Sequence, residues 1–240
     1  MQRVAINEGI CDGHDHQLLL VVERRTLQRG QGLLGMRVVL VFDHPYGAGA
    51  SENVPHRRSF TAALAAAAVR GLERAGHQVD LIDLATDGFN PVMSAADLAA
   101  WRSGKIIDPI AADYQRRVMD ADHIVFAFPV WWEAMPAGTK GFLDKVLTKG
   151  IVFSETERLR PFENHLEHLR GVTLITTMST PGLIYRWFFG APATKVLFRG
   201  TFMKIGVRNL RWLNYVSPDA RSEAQRRALL TALERRFAGL

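Results

Sequence analysis

Two adjacent indoles sit in a proline-bounded stretch, Phe126-Ala127-Phe128-Pro129-Val130-Trp131-Trp132-Glu133-Ala134-Met135-Pro136. The apolar, β-favouring run ends at Pro129. Pro136 then opens an amphipathic helix through Lys140-Gly141-Phe142-Leu143-Asp144-Lys145-Val146, so the segment reads as strand, loop and helix. Beyond the carboxyl end of a parallel strand, such a loop is where open α/β sheets take ligands, and indoles there offer a flat wall to a heteroaromatic ring. The alternative is that Trp131 and Trp132 pack between helix and sheet. Neighbouring residues of a strand point to opposite sides, so burying both would need a loop covered on both faces.

Two further segments carry polar chemistry at the same kind of position. Asp43-His44-Pro45 closes an apolar strand, a glycine-containing loop follows, and Ser59-Phe60-Thr61 opens an alanine-rich helix. Ser59 is suited to the N-cap. Unpartnered N–H groups and the positive end of the helix dipole form an anion site there, to which the Ser59 or Thr61 hydroxyl could add, unless Ser59 only caps its helix. His56, Arg57 and Arg58 lie in the intervening loop, where they either grip phosphates or are simply solvated. Leu174-Ile175-Thr176-Thr177-Met178-Ser179-Thr180-Pro181-Gly182 is the third strand that feeds a polar loop. The chain carries no Gly-x-Ser-x-Gly elbow, Walker loop, His-Glu-x-x-His pair or catalytic cysteine in its body.

The elements that must position these loops alternate regularly from Met36 onward. Strands are predicted at 37–43, 78–84, 122–128, 171–176 and 207–216, and helices near 58–75, 94–103, 110–120, 137–147, 183–204 and 218–238. Successive strands joined by crossover helices predict a doubly wound α/β fold with a five-stranded parallel sheet in the flavodoxin order 2-1-3-4-5, with the ligand at the switch point between strands one and three.

With 240 residues, 48% of them apolar, one domain over 36–240 is expected. The first 35 residues lack periodicity and read as a disordered leader or a mis-assigned start, with Met36 as the alternative first residue. Cys11-Asp12-Gly13-His14-Asp15-His16 has metal-ligand residue types without a framework to fix them, so no metal is expected. A single cysteine excludes an internal disulfide and fits a cytoplasmic protein. The net charge of +6 is scattered among acidic neighbours, which reads as solvated helix faces and argues against nucleic-acid binding. No apolar run reaches membrane-spanning length.

The stretch Phe126 to Gly141 resembles the flavin-ring loop of the flavodoxin-like NAD(P)H:quinone oxidoreductases, which reads Phe-x-Phe-Pro-x-x-Trp-x-x-x-Pro-Ala-x-x-Lys-Gly, with Trp132 at the fixed tryptophan. A thinner resemblance runs from Met36 to the C-terminus. It implies a flavin held by His44, Ser59, Phe60 and Thr61 at its phosphates. Its ring would lie against Pro129, Val130, Trp131, Trp132 and Glu133 and against Thr176, Thr177, Met178 and Ser179, and Arg221 would approach an adenine. Thr61 stands where the family has Asn, and Met178-Ser179 replaces a glycine pair.

The implied activity is two-electron transfer from NADPH or NADH to a quinone or similar aromatic acceptor by a ping-pong scheme, with FAD preferred and FMN admitted. Backbone N–H groups of the Val130–Glu133 and Thr176–Ser179 loops would stabilise charge on the reduced ring. Phe153 and Glu155 occupy the positions of two acceptor-side tyrosines, and Tyr185 that of a catalytic tyrosine whose companion histidine is absent. The other reading of Tyr185 is a core or dimer aromatic; that of Arg221 is a surface residue. The apolar tail from Tyr185 to Arg199 implies a homodimer. The alternative within the resemblance is a regulatory flavoprotein subunit of a potassium-efflux transporter, a peripheral membrane partner.

Overall fold

The computed structural model describes residues 35–51, 58–155 and 162–240. The expectations for the leader, Cys11 to His16 included, and for His56 and Arg57 lie outside the described residues, save for Gly35. From Met36 the elements run β1 (Arg37–Phe42), α1 (Phe60–Arg74), β2 (Gln78–Asp83), α2 (Ala95–Arg102), α3 (Pro109–Met119), β3 (His123–Pro129), α4 (Ala137–Val146), β4 (Phe153–Ser154), β5 (Glu163–Asn164), β6 (Gly171–Met178), α5 (Gly182–Trp187), a π-helix (Lys195–Phe202), β7 (Leu210–Val216) and α6 (Glu223–Phe237).

Five strands form one parallel sheet in the order β2-β1-β3-β6-β7, the expected 2-1-3-4-5 arrangement. Parallel strands need crossovers, and those crossovers cover the sheet; hence β1 and β3 read as nearly unbroken apolar runs, and β1, β3 and β6, the last with three buried threonines, are buried along almost their whole length. One core cluster joins Val39, Val41, Ile124, Phe126 and Phe128 to Tyr114, Phe142 and Tyr185. The other joins Val38, Leu40 and Phe42 to the small residues of α1 and to Leu233 and Phe237 of α6. Strand alternation sends successive residues to these two layers.

Two helices differ from the sequence expectation. The predicted helix 183–204 is interrupted, because Gly190 at φ +73° and Ala191 at φ +50° turn the chain in front of Pro192, whose ring disfavours a helical residue before it. The helix predicted from 218 begins at Glu223, where Ser222 and Gln225 make a capping box, after a short 3-10 turn at Pro218–Ala220. The small hairpin of β4 and β5 has no counterpart among the predicted elements.

At the amino edge of the sheet, His123 is 2% exposed, and its Nε2 pairs with the Thr173 hydroxyl at 2.9 Å. Burial, with the positive charges of Arg211 and His77 adding to it, pushes its pKa from 6.5 down to about 4. A depressed histidine favours the fold above pH 6.5, and that contribution is lost as pH falls from 6.5 towards 4, up to about 3 kcal/mol in all. His123→Gln should therefore flatten the fall in urea-unfolding stability between pH 7 and pH 4.5; a variant with the same slope as the parent would remove His123 as its source.

Candidate active site

Beyond the carboxyl ends of β1, β3 and β6, three loops are held together by specific side chains. The first tie is Asp43, 8% exposed at the end of β1, whose Oδ2 accepts the Thr139 N–H at 2.5 Å and the Thr139 hydroxyl at 2.7 Å. Pro136 cannot cap α4 with a side chain, so Asp43 serves the first turn of that helix from a distant strand. Gly138 makes the approach feasible, since a Cβ there would lie 2.7 Å from the Asp43 carboxylate. Burial raises the Asp43 pKa, against the two Thr139 hydrogen bonds that lower it, and nearby Asp83 raises it further. Asp83 in turn accepts the Ala48 N–H at 2.6 Å and the Thr86 hydroxyl at 2.8 Å, which shapes the loop after β1.

Within that loop, His44 accepts the Tyr46 N–H on Nδ1 at 3.1 Å, and burial lowers its pKa. A neutral ring that accepts at Nδ1 carries its proton on Nε2, where it can donate. Ser59 caps α1 by accepting the Ala62 N–H at 3.2 Å. The cap reading of Ser59 is therefore realised in this chain. The Thr61 hydroxyl is buried against that of Thr177 at 2.7 Å, a tie between the first and third loops. This leaves the Phe60 and Thr61 N–H groups of the first turn as donors without a partner among the described residues. Phe60 packs edge-on to Tyr215.

The tryptophan loop is a tight hairpin turn. Trp131 and Ala134 exchange two backbone hydrogen bonds of 3.0 Å each, with Trp132 at φ +48° and Glu133 at φ +60° between them. Two successive left-handed residues are the signature of a type I′ turn, which ordinarily takes Asn-Gly; with side chains there the turn stores on the order of 1 kcal/mol or more per residue. Two outside contacts hold it. The Tyr185 hydroxyl donates to the Glu133 carbonyl at 3.1 Å, and the Thr180 hydroxyl donates to Glu133 Oε1 at 2.6 Å. Glu133 Oε2 is buried with no hydrogen-bond partner.

This conformation pushes Trp132 fully into solvent, 100% exposed, and leaves Trp131 partly exposed. Packing of both indoles between helix and sheet does not occur. Of the backbone donors expected in this loop, Val130 N–H is committed to the Thr177 carbonyl at 2.8 Å and Trp131 N–H to Ala134. Trp132 and Glu133 N–H remain without a partner among the described residues. Pro129 ends β3 opposite Thr177.

Several expected positions face elsewhere. Thr176 is fully buried, accepts the Trp212 indole N–H at 2.8 Å and donates to Asn214 at 2.9 Å; alternation places it on the opposite face from Thr177, so its hydroxyl does not reach the cleft. Met178 shares the Thr176 face, and its sulfur accepts from Asn214. Ser179 is the first exposed residue of the third loop. Tyr185 is 0% exposed and commits its hydroxyl twice, to Glu133 and as acceptor of the Ala193 N–H at 3.1 Å. It lies under the turn and not on its open side. Phe153 is stacked on Phe162 in the core, Glu155 pairs with Lys149 at 2.6 Å, and Arg221 donates to the Val216 carbonyl at 3.3 Å. None of these three is joined to the loops by a contact among the described residues.

Sequence reasoning missed Asp43, Thr139 and Thr180 as parts of the site. The absence of a capping side chain before α4 was a signal for the first pair; Thr180 had none.

A family profile described as a flavodoxin-like fold, of the second flavodoxin type, matches residues 36–236. The chain belongs to this family. It is 33% identical over 128 residues to an uncharacterized NAD(P)H oxidoreductase, YcaK, of Escherichia coli, covering 52% of this chain and 59% of that protein. To NAD(P)H dehydrogenase [quinone] 1 of Rattus norvegicus it is 30% identical over 127 residues, covering 45% and 46% respectively. The chain thus spans about half the length of these relatives. Among solved flavodoxin-like structures, an NAD(P)H:quinone oxidoreductase of Methanothermobacter marburgensis superposes with a TM-score of 0.71 at 21% identity, over 85% of this chain and 98% of that one. An FMN-dependent NADH-azoreductase of Bacillus anthracis, in complex with FMN, gives 0.68 at 13% identity, over 85% and 98%. Both likenesses are likenesses of fold.

Tyr185→Phe should leave the Glu133 carbonyl and the Ala193 N–H unpaired and lower unfolding free energy by about 1–3 kcal/mol. It should also broaden the Trp132 indole resonance as the turn loses its brace; an unchanged stability and an unchanged resonance would show that the turn holds itself.

Proposed function

We propose that this flavodoxin-like protein is a flavin-dependent NAD(P)H oxidoreductase that passes two electrons from the nicotinamide to a quinone or similar aromatic acceptor, in a ping-pong sequence. The observation that carries this reading is Trp132, a fully exposed indole on a strained and externally braced turn at the topological switch point. Strain held in place by surrounding contacts points to a use that requires that conformation. The names of the relatives in Escherichia coli and Rattus norvegicus support the same reaction class.

The residues present fit the isoalloxazine ring and first phosphate that FMN and FAD share. Trp131 and Trp132 supply a wall for the ring, and the free Trp132 and Glu133 N–H groups supply donors for its polar edge. Glu133 Oε2, buried and unpaired, is an acceptor awaiting a donor. The Phe60 and Thr61 N–H groups at the α1 terminus, with His44 Nε2, suit the phosphate. Bound flavin would supply the hydride acceptance and donation that no nucleophile in this chain is needed for. Tyr185 acts here as a positioning residue, because its hydroxyl shapes the turn and does not face the cleft. Arg221, bound to its own strand end, offers no preference for the adenine of FAD over FMN.

We further propose that the site is completed in a homodimer. Leu183, Trp187 and Phe188 of α5 and its end are 75%, 80% and 82% exposed, an apolar ridge next to the third loop that a second copy would cover.

Protein purified after flavin supplementation should show a bound-flavin visible spectrum that bleaches on anaerobic addition of NADPH or NADH and returns with a quinone. A protein that refuses both FMN and FAD would refute the proposal. Trp132→Ala should raise the flavin dissociation constant by roughly fivefold, given about 1 kcal/mol for a stacked indole, while leaving the melting temperature unchanged. Flavin retention equal to the parent's would remove Trp132 from the site.

A further inference from the structure

Glu133 brings a carboxylate to the tip of the tryptophan turn and leaves it almost uncompensated. Its Oε1 accepts the Thr180 hydroxyl at 2.6 Å, and its Oε2 is buried with no hydrogen-bond partner among the described residues. Other carboxylates drawn in from solvent are compensated more fully. Asp43 takes the N–H and the hydroxyl of Thr139, Asp83 takes the Ala48 N–H with the N–H and hydroxyl of Thr86, and Asp108 takes the ammonium of Lys145. Glu133 has one hydroxyl and no cation among the described residues. A buried carboxylate oxygen in that state opposes folding and calls for a functional account. Oε2 is already covered within the single chain, so its missing partner is not surface left open for a second copy.

Two anchors fix where this charge sits. The Tyr185 hydroxyl holds the Glu133 carbonyl at 3.1 Å and Thr180 holds the carboxylate, so the side chain spans from the turn after β3 to the loop after β6. A ring that rests against both loops, as the proposed flavin does, has the carboxylate beside it. An aromatic acceptor that stacks on that ring to receive a hydride lies in the field of the same charge. Water screens a charge poorly when its oxygen is buried, and like charges repel without contact.

We propose that Glu133 is a specificity-determining residue that sets the charge of the acceptor, admitting neutral or cationic aromatic acceptors and turning away anionic ones such as sulfonated or carboxylated quinones. The inference rests on the flavin-dependent reduction proposed above and adds the acceptor class to it. In that reaction a quinone takes a hydride, which originates in the nicotinamide, and one proton, and becomes a hydroquinone. The negative charge that reaches the quinone oxygen opposes Glu133 for every acceptor, whereas a fixed anionic substituent adds a repulsion that begins on binding. Discrimination is therefore read from the ratio between two acceptors and not from the rate with one.

The test compares kcat/KM for 1,4-naphthoquinone and 1,4-naphthoquinone-2-sulfonate in the flavin-loaded full chain and two variants. Glu133→Gln keeps an oxygen for the Thr180 hydroxyl and removes the charge; it should shift the ratio towards the sulfonate by about fivefold or more. Glu133→Asp keeps the charge and shortens the reach to Thr180; its ratio should stay within about twofold of the parent's. Calorimetry makes the comparison without turnover: naphthalene-2-sulfonate should bind Glu133→Gln about fivefold or more tightly than it binds the parent, and 2-naphthol should bind both alike. A ratio unmoved by Glu133→Gln, a shift of the same size in Glu133→Asp, or equal gains for the sulfonate and the naphthol would each overturn the inference and leave the reductase reading standing. Refusal of flavin, or turnover of neither quinone, would instead overturn the reductase reading and this inference with it.

Discussion

A buried carboxylate holds the mouth of this fold together. Asp43 stands at the end of β1 and serves the first turn of α4, two elements nearly a hundred residues apart in sequence. The strand between them, β3, is thereby clamped at the point where the order of the sheet reverses. Burial makes ionised Asp43 costly, and Thr139 together with the positive end of α4 offsets that cost. Gly138 is required for the same reason, since any side chain would push the helix away from the carboxylate.

The other loops hang from this clamp. Val130 continues the β3 to β6 pairing by one residue, and Thr61 meets Thr177 across the buried floor. Above that floor the Trp131 to Ala134 turn adopts a conformation its own residues disfavour, and it persists because Tyr185 and Thr180 grip Glu133 from the third loop and α5. The result is a rigid turn with an exposed indole at its tip. A flexible loop would have let Trp132 collapse onto apolar surface, as the hydrophobic effect favours for an unbraced indole.

A division of labour follows along the sheet. The β2, β1 and β3 side is sealed by ordinary amphipathic helices with complementary charges, such as Arg117 with Asp80 and Arg70 with Glu234. One face of β6 and β7 is packed by α6, and the segment between these strands is an irregular helix with exposed aromatics. Exposed aromatics of that kind are poorly suited to a solvated exterior and well suited to cover by a second copy.

Much of the fold was legible because its signals are local. Five apolar runs separated by helical periodicity leave little choice of topology once right-handed crossovers are required. The tryptophan loop was legible too, because two prolines and two indoles mark a strand end and a helix start in any context. What the sequence could not convey is which hydroxyl or backbone group is already spoken for. Thr176 and Thr177 are identical in type and adjacent, yet alternation turns one into the core and the other to the cleft floor. Tyr185 looks the same in sequence whether it faces a substrate or props a turn, and only its two backbone partners decide the matter. The predicted long helix through Phe188 and Pro192 breaks at two left-handed residues, Gly190 and Ala191, directly before a proline that marked the break locally. Local pattern sets the elements through backbone sterics and periodic burial; the tertiary structure alone assigns each polar group its partner, because those partners lie tens of residues away.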